Sequence, residues 1–321
     1  MAVQDNGDVR VDPSRRRLLM AAAAAPVLAG AGPGAASAEP ARLQPVMPSS
    51  TVESDWSKVA EILGRAGTMA DDSVYRVRFA RQDLPVITYG VTLFLGSYAA
   101  FARYDDGRTL VMGSMAVTET ELQHATDALH AGGLEVTAVH KHLLAHEPAM
   151  WWTHFHGHAE DPVDLARSVS AALAVTTTPS APPAASQPRV DLDVPAIEDA
   201  LNARGVNDSG ILRFTFNRGE TITDHGRVLP PATGMTTLLS FYPLGDRRAA
   251  VNGDLAMTAG EVRNVLTALR RGGIDIVELH NHGLTEEPRL FFAHFWAIGD
   301  GVTLARALRA AVDATNTGPA A

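Results

Sequence analysis

Six of the chain's twelve histidines lie between His140 and His158, and the core of that stretch recurs 140 residues further on. The first copy reads HKHLLAHEPAMWWTHFHGH over 140–158 and the second HNHGLTEEPRLFFAHFWAI over 280–298. His140, His142 and His154 correspond to His280, His282 and His294, and Glu147-Pro148 corresponds to Glu287-Pro288. A neutral imidazole offers one nitrogen lone pair and one N–H, so such a set can ligate Zn, Cu, Ni or Fe, move protons, or form a hydrogen-bonded lock. The 321 residues include no cysteine, which removes thiolate ligands, cysteine nucleophiles, disulfides and a lipid-anchored cysteine.

The elements that must position these histidines are strands. Alternate residues of a strand share a face. Leu134, Val136, Ala138, His140 and His142 therefore fall on one, more apolar side, with Glu135, Thr137, Val139 and Lys141 on the other. If the chain folds back antiparallel around Pro148, His142 pairs across from His154, His140 from His156 and Ala138 from His158. Directly opposed Cβ atoms are about 4.5–5.5 Å apart, which suits imidazoles converging on one ion. The expected first-repeat metal set is thus His140, His142, His154, His156 and His158, with zinc first among divalent transition metals. The second set is thinner, because Trp296 stands where His156 would be. It comprises His280, His282, His294 and Glu278, and two histidines with one carboxylate is the composition of open, catalytic sites. A structural histidine network and metal-free acid–base chemistry are the competing readings. His146 lies in the turn, and His124, His130 and His225 are expected to face solvent. Trp151-Trp152 and Phe291-Phe292 are expected in the core.

Around the histidine strands each half repeats the same order. A short helix (Trp56–Ala66; Pro195–Arg204) precedes strands near Val74–Phe79 and Val91–Phe101, matched near Ile211–Phe216 and Met235–Phe241. A further strand leads through Val111-Met112-Gly113 or Val251-Asn252-Gly253 to a helix. In the second copy Val262, Val265, Leu266 and Leu269 form one buried face of that helix. Thr118 with Glu121, and Thr258 with Glu261, have the spacing of a capping box, and Gly132 and Gly272 stand at the C-terminal ends. These glutamates have a structural task. Closing helices are expected over Pro162–Leu173 and Val302–Val312. The reading is α+β: a tandem duplication of mostly antiparallel sheets, each with two to three helices, packed as a pseudo-symmetric pair. The repeats span 52–175 and 191–316, joined by a Pro/Ala/Thr-rich linker over 176–190 and followed by a tail over 317–321.

The duplicated G-[SD]-x-x-x-T-x-x-E, the following GG, the H-[NK]-H strand, E-P and H-F resemble the LppY/LpqO family of exported bacterial proteins. The likeness covers about residues 52–316, and HNH…EPRLFF-x-HFW is its most specific part. The resemblance implies a duplicated domain of unknown function and an exported protein, and it points to His140, His142, His154, His280, His282 and His294. Some members of that family are lipoproteins, an anchor this cysteine-free chain cannot carry.

The start of the sequence agrees with export. Ser14-Arg15-Arg16-Arg17-Leu18-Leu19-Met20 resembles a twin-arginine motif. An apolar stretch over Ala21–Ala29 follows, then Ala36-Ser37-Ala38 as a cleavage site, so residues 1–38 read as a signal peptide and 39–51 as a spacer. That apolar stretch is shorter than the roughly 20 residues of a membrane span. A net charge of −9 argues against a nucleic-acid partner. No Gly-rich phosphate loop, G-x-S-x-G elbow or H-E-x-x-H helix is present. The expected protein is a soluble periplasmic or extracellular metal binder, with hydrolysis by metal-activated water as its simplest chemistry. The alternative is a non-enzymatic module for a small-molecule or cell-envelope ligand, or a protein partner, with structural histidines.

Overall fold

The computed structural model describes residues 44–181 and 187–320. The twin-arginine motif, the apolar stretch, the cleavage site and the middle of the linker lie outside the described residues. Residues 44 onward form one compact unit that contains both repeats.

Each repeat is a seven-stranded antiparallel sheet with helices on one face. In the first, the strand order runs Thr68–Ala70, Val74–Thr88, Val91–Arg103, Thr109–Thr118, Met150–Ala159, Glu135–His140, and the short His146–Glu147 pairs with the far end of Val74–Thr88. The second repeat places Asp275–His280 at one edge, then Leu290–Asp300, Arg248–Thr258, Thr236–Pro243 and Ile211–Arg218. The long histidine-bearing strands Met150–Ala159 and Leu290–Asp300 therefore sit inside their sheets, and the H-x-H strands lie at the edges.

Strand parity sets the layers. Odd residues such as Val111, Met115 and Phe155 pack against the helices Ser57–Ile62, Leu122–Ala131 and Pro162–Ala174. Val251, Leu255 and Phe295 do the same with Val194–Leu201, Val262–Arg271 and Gly301–Val312. Even residues pack against the other repeat: Ala116, Met150 and Trp152 share a cluster with Ala250 and Trp296, and Leu110 and Met112 share one with Leu290 and Phe292. The unit from residue 44 onward is a four-layer sandwich, helices–sheet–sheet–helices, and the two sheets face each other through their even side chains.

The same local devices recur in both halves. Glu121 Oε2 accepts from the Thr118 N–H (2.9 Å) while Thr118 Oγ1 accepts from the Glu121 N–H (3.3 Å), which is the expected capping box. The same glutamate pairs at 2.9 Å with Arg81, which is fully buried, and Glu261 pairs with Arg218 at 2.8 Å. Gly113 and Gly253 are required by crowding. A Cβ at Gly113 would lie 2.4 Å from the Tyr98 carbonyl, and one at Gly253 1.9 Å from that of Leu238. Each repeat also extends a hairpin arm toward its own Glu-Pro turn: Ile87 and Thr88 pair with Glu147 and His146, and Thr223 bridges to Glu287.

The hairpin register differs from the expected one. His154 lies opposite Ala138, Trp152 opposite His140, and His156 opposite Glu135, with a bulge between Val136 and Ala138. The turn is centred nearer residue 146 than Pro148, since His146 and Glu147 leave the hairpin to pair with the arm. The bulge also breaks the even-face rule on the edge strand. Val136 packs with the helices, while Thr137 Oγ1 reaches the His282 carbonyl of the other repeat at 2.6 Å.

Candidate metal centre

The cluster is assembled from both repeats, between the sheets. His140 and His280 stack at a ring separation of 3.6 Å, and on either side His142 lies tilted against His294 at 3.7 Å and His154 stacks with His282 at 4.1 Å. The two flanking pairs are related by the same exchange of halves that brings His140 onto His280, so a pseudo-twofold axis runs through the central stack. Aromatic neighbours repeat as well: Trp152 lies flat on His142 and Phe292 flat on His282. Trp152 and Phe292 thus back the histidines from within the core, as expected of them.

Hydrogen bonds fix which nitrogens face inward. His294 Nδ1 lies 2.8 Å from the Gly253 carbonyl and His282 Nδ1 2.9 Å from that of Gly234. A carbonyl only accepts, so both Nδ1 atoms carry protons and both rings turn Nε2 into the cluster. There His294 Nε2 is 3.2 Å from His140 Nε2, which is 3.1 Å from His142 Nε2. On the other side His282 Nε2 is 3.1 Å from His280 Nε2 and 3.1 Å from Asp254 Oδ2. Donors about 2.0–2.1 Å from a tetrahedral ion sit roughly 3.3 Å apart, so these separations are of coordination size.

Three sets have donor atoms within 4.8 Å of one another and lie close enough to hold a metal ion: His140, His142 and His294; His140, His154 and His280; and Asp254, His280 and His282. His140 Nδ1, His154 Nε2, His280 Nδ1 and Asp254 Oδ1 are buried without a hydrogen-bond partner. Burial makes the charged imidazole costly. It pushes His140 down to about 2 with His294 and His282 adding to the effect, and it holds His142, His154, His280 and His294 below the usual imidazole range. Burial alone would raise the Asp254 carboxyl, but His294 and His282 outweigh it and hold the group below the usual carboxylate range. Burial therefore disfavours the charged form of His140, His142, His154, His280 and His294, beside one carboxylate.

The structure brings together His140, His142, His154, His280, His282 and His294, but as one shared cluster instead of one set per hairpin. His156 and His158 follow His154 on the same strand face and lie further along, where His156 Nε2 bonds Glu135 Oε2 at 2.9 Å. Glu278 pairs across from His294 in the sheet but belongs to none of the three sets. The carboxylate of the cluster is Asp254, directly opposite His294 on the neighbouring strand, at the place that Ser114 holds opposite His154. The signal for Asp254 was the [SD] position after the glycine of the repeated motif. His146 is occupied locally, receiving the Met150 N–H at Nε2, and His124, His130 and His225 are exposed as expected.

Among the described residues no helix is long and apolar enough to cross a membrane. No curated protein matches the chain. Three solved structures with a likeness, two of them microcompartment shell proteins, are each 13% identical to the chain. The trimeric shell protein PduB gives a TM-score of 0.20 with 75% of this chain and 86% of that chain covered. The double ringed trimeric shell protein MSM0271 from the RMM microcompartment gives 0.19, covering 64% and 82%. EtuB from Clostridium kluyveri gives 0.23, covering 80% and 95%. At those TM-scores the likeness carries no argument. One family model matches twice, over residues 57–175 and 195–314, and on that match the chain belongs to the DUF1529 family, described as Domain of Unknown Function (DUF1259).

Proposed function

We propose that this protein binds a divalent transition metal, zinc first, in the histidine cluster between its repeats, and that the ion fastens the two sheets together. One observation carries the reading: the Nε2 atoms of His140, His142, His280, His282 and His294 and a carboxylate oxygen of Asp254 are turned toward each other at 3.1–3.2 Å in the interior. Acceptors so placed repel unless a cation or a proton sits among them. The soft, nitrogen-rich donor set with one carboxylate suits Zn, Cu, Ni or Fe better than Mg or Ca. His140, His154, His282 and His294 are no more than 6% exposed, which favours a closed, structural site over one that admits a substrate. Hydrolysis by a metal-bound water is thus the weaker part of the sequence-based expectation at this cluster. Export through a twin-arginine signal, and the finer kinship with the LppY/LpqO family, belong to the same reading. A protein that acquires its metal while folding is suited to export in the folded state.

A metal-free alternative has its own support. His282 lies between the Gly234 carbonyl and Asp254, as an imidazolium would. The experiment that separates them is elemental analysis of the full chain, purified without a histidine tag, beside His142→Ala/His294→Ala. The metal reading expects near-stoichiometric metal in the wild type and its loss from the folded variant. Failure to load Zn, Cu, Ni, Mn or Fe on reconstitution contradicts it and leaves the ion-paired lock.

A further inference from the structure

The two hairpin arms are built alike and differ in chemistry at a few positions. The first turns through Thr88-Tyr89-Gly90-Val91 and the second through Asp224-His225-Gly226-Arg227, with Tyr89 and His225 both at a φ of 46° and Gly90 and Gly226 at 79° and 74°. The strand facing each arm comes from the other repeat. Against the first arm stand Trp296 and Ile298, and the environment is apolar: Val86, Leu93 and Trp296 share one cluster, and Tyr89 stacks on Trp296 at 6.5 Å. Against the second arm the corresponding positions are His156 and His158. All four changes, Thr88 to Asp224, Tyr89 to His225, Trp296 to His156 and Ile298 to His158, put a metal-ligating side chain at the same end of the molecule.

The geometry points to a second divalent-cation site there, formed by His156 and His158 of the first repeat with Asp224 and His225 of the second. His156 Nε2 is 2.9 Å from Glu135 Oε2, so this nitrogen carries a proton, and Nδ1 faces Asp224 Oδ2 at 4.0 Å. A carboxylate behind a ligating histidine is a recurrent support of metal sites. Asp224 is 3% exposed. Its Oδ1 accepts from Thr285 Oγ1 at 2.6 Å, and its Oδ2 is buried without a hydrogen-bond partner. His158 Nε2 is likewise buried and unpartnered, and the His158 ring stands 6.3 Å from that of His225. His225 Nε2 lies 4.0 Å from Asp224 Oδ1. The neighbouring Arg227 guanidinium is bonded to Asp106 at 2.5 Å and to the His225 carbonyl at 3.4 Å. His156 Nδ1 and His225 Nε2 each stand 4.0 Å from an Asp224 oxygen, so the side chains must draw inward to reach coordination distance around an ion.

This site differs from the shared cluster in its access. His225 is exposed and, with Thr285 and Glu286, lines a cavity of about 620 Å³ open to solvent. Of the four residues only His225 lines this cavity, so an ion held here is reached from solvent on the His225 side. The cation site stands on its own residues and does not require the inter-repeat centre to be occupied.

The test grafts the sequence of one arm onto the other. The full chain, the variant Asp224→Thr/His225→Tyr, the single variant His158→Ile, and the cluster variant His142→Ala/His294→Ala are dialysed against Co²⁺ or Zn²⁺, freed of excess, and assayed for ions per chain. The expected result is one ion fewer in the arm graft and in His158→Ile than in the wild type, with that ion still present in the cluster variant. Equal metal content in the wild type and both arm variants overturns the proposal, whatever the cluster variant does. Wild-type chain that binds metal only through the inter-repeat histidines also overturns it. If the cluster variant does not fold, the comparison of wild type with the two surface-side variants still decides.

Discussion

The two repeats share a scaffold and diverge at the residues that carry charge into it. Both have the buried Arg–Glu pair, the crowded glycine before the central position, the H-x-H edge strand and the histidine on the neighbouring strand. The second repeat alone places a carboxylate, Asp254, beside that histidine, where the first has Ser114. The arm of the second repeat alone is polar, and it meets the two histidines that only the first repeat has. Duplication thus supplies the cluster's symmetry, while the asymmetric residues decide where negative charge, and with it a cation, can reside.

The sharpest way to strain the shared part of this comparison is acid. His140, His142, His154, His280 and His294 have depressed affinities for a proton in the folded chain, His140 down to about 2 against 6.5 unperturbed. Above pH 6.5 both folded and unfolded rings are neutral, so the full stability is present there. As pH falls below 6.5 the unfolded chain binds protons that the folded chain refuses. Each histidine then withdraws about 1.4 kcal/mol per pH unit until its folded value is reached. Several together exceed the few kcal/mol by which a domain is stable. Urea unfolding of the metal-free chain from pH 7.5 to 4.5 is expected to show a steep loss beginning near 6.5. Constant stability across that range would show that the histidines are hydrated and the cluster is open.

A smaller effect tests the equivalence of the halves. Glu121→Ala and Glu261→Ala each leave a buried arginine with one carboxylate, Asp83 or Glu220, in place of two and are expected to cost about 1.5–3 kcal/mol by urea unfolding at pH 7.5. Burial opposes ionisation of Glu121, but Arg81 and backbone N–H groups bring its carboxyl down to about 2. Arg218 acts likewise on Glu261. A cost near zero in one half alone would mean that the repeats are not equivalent at their frames. The smallest expected effect lies at the asymmetric position. Asp254→Ser makes the second repeat resemble the first and should weaken metal binding by roughly tenfold, about 1.4 kcal/mol. Unchanged affinity by competition with a chromogenic chelator would remove Asp254 from the site.

Much of this was legible in the sequence, and what was not has physical causes. The duplication, the α+β order and the six clustered histidines follow from residue type and a fixed offset, which survive any detail of packing. The hairpin register did not follow, because the bulge after Val136 and the departure of His146-Glu147 to the arm are set by tertiary pairing. A shift of register moved His156 and His158 away from His140 and His142, and no periodicity reveals that. Asp254 was hidden for the same reason: only the sheet order shows that its strand neighbours the one carrying His294. Nor does parity say that the even faces of the two sheets meet each other, which turns two expected hairpin sites into one shared centre.

The most direct test of that shared centre is anomalous diffraction from crystals of the zinc-loaded full chain, with data collected on both sides of the zinc edge. The account expects a peak between the two sheets, coordinated by at least one histidine from 140, 142 and 154 and at least one from 280, 282 and 294. A zinc ion ligated within a single repeat, or no ion between the sheets at full loading, would contradict it.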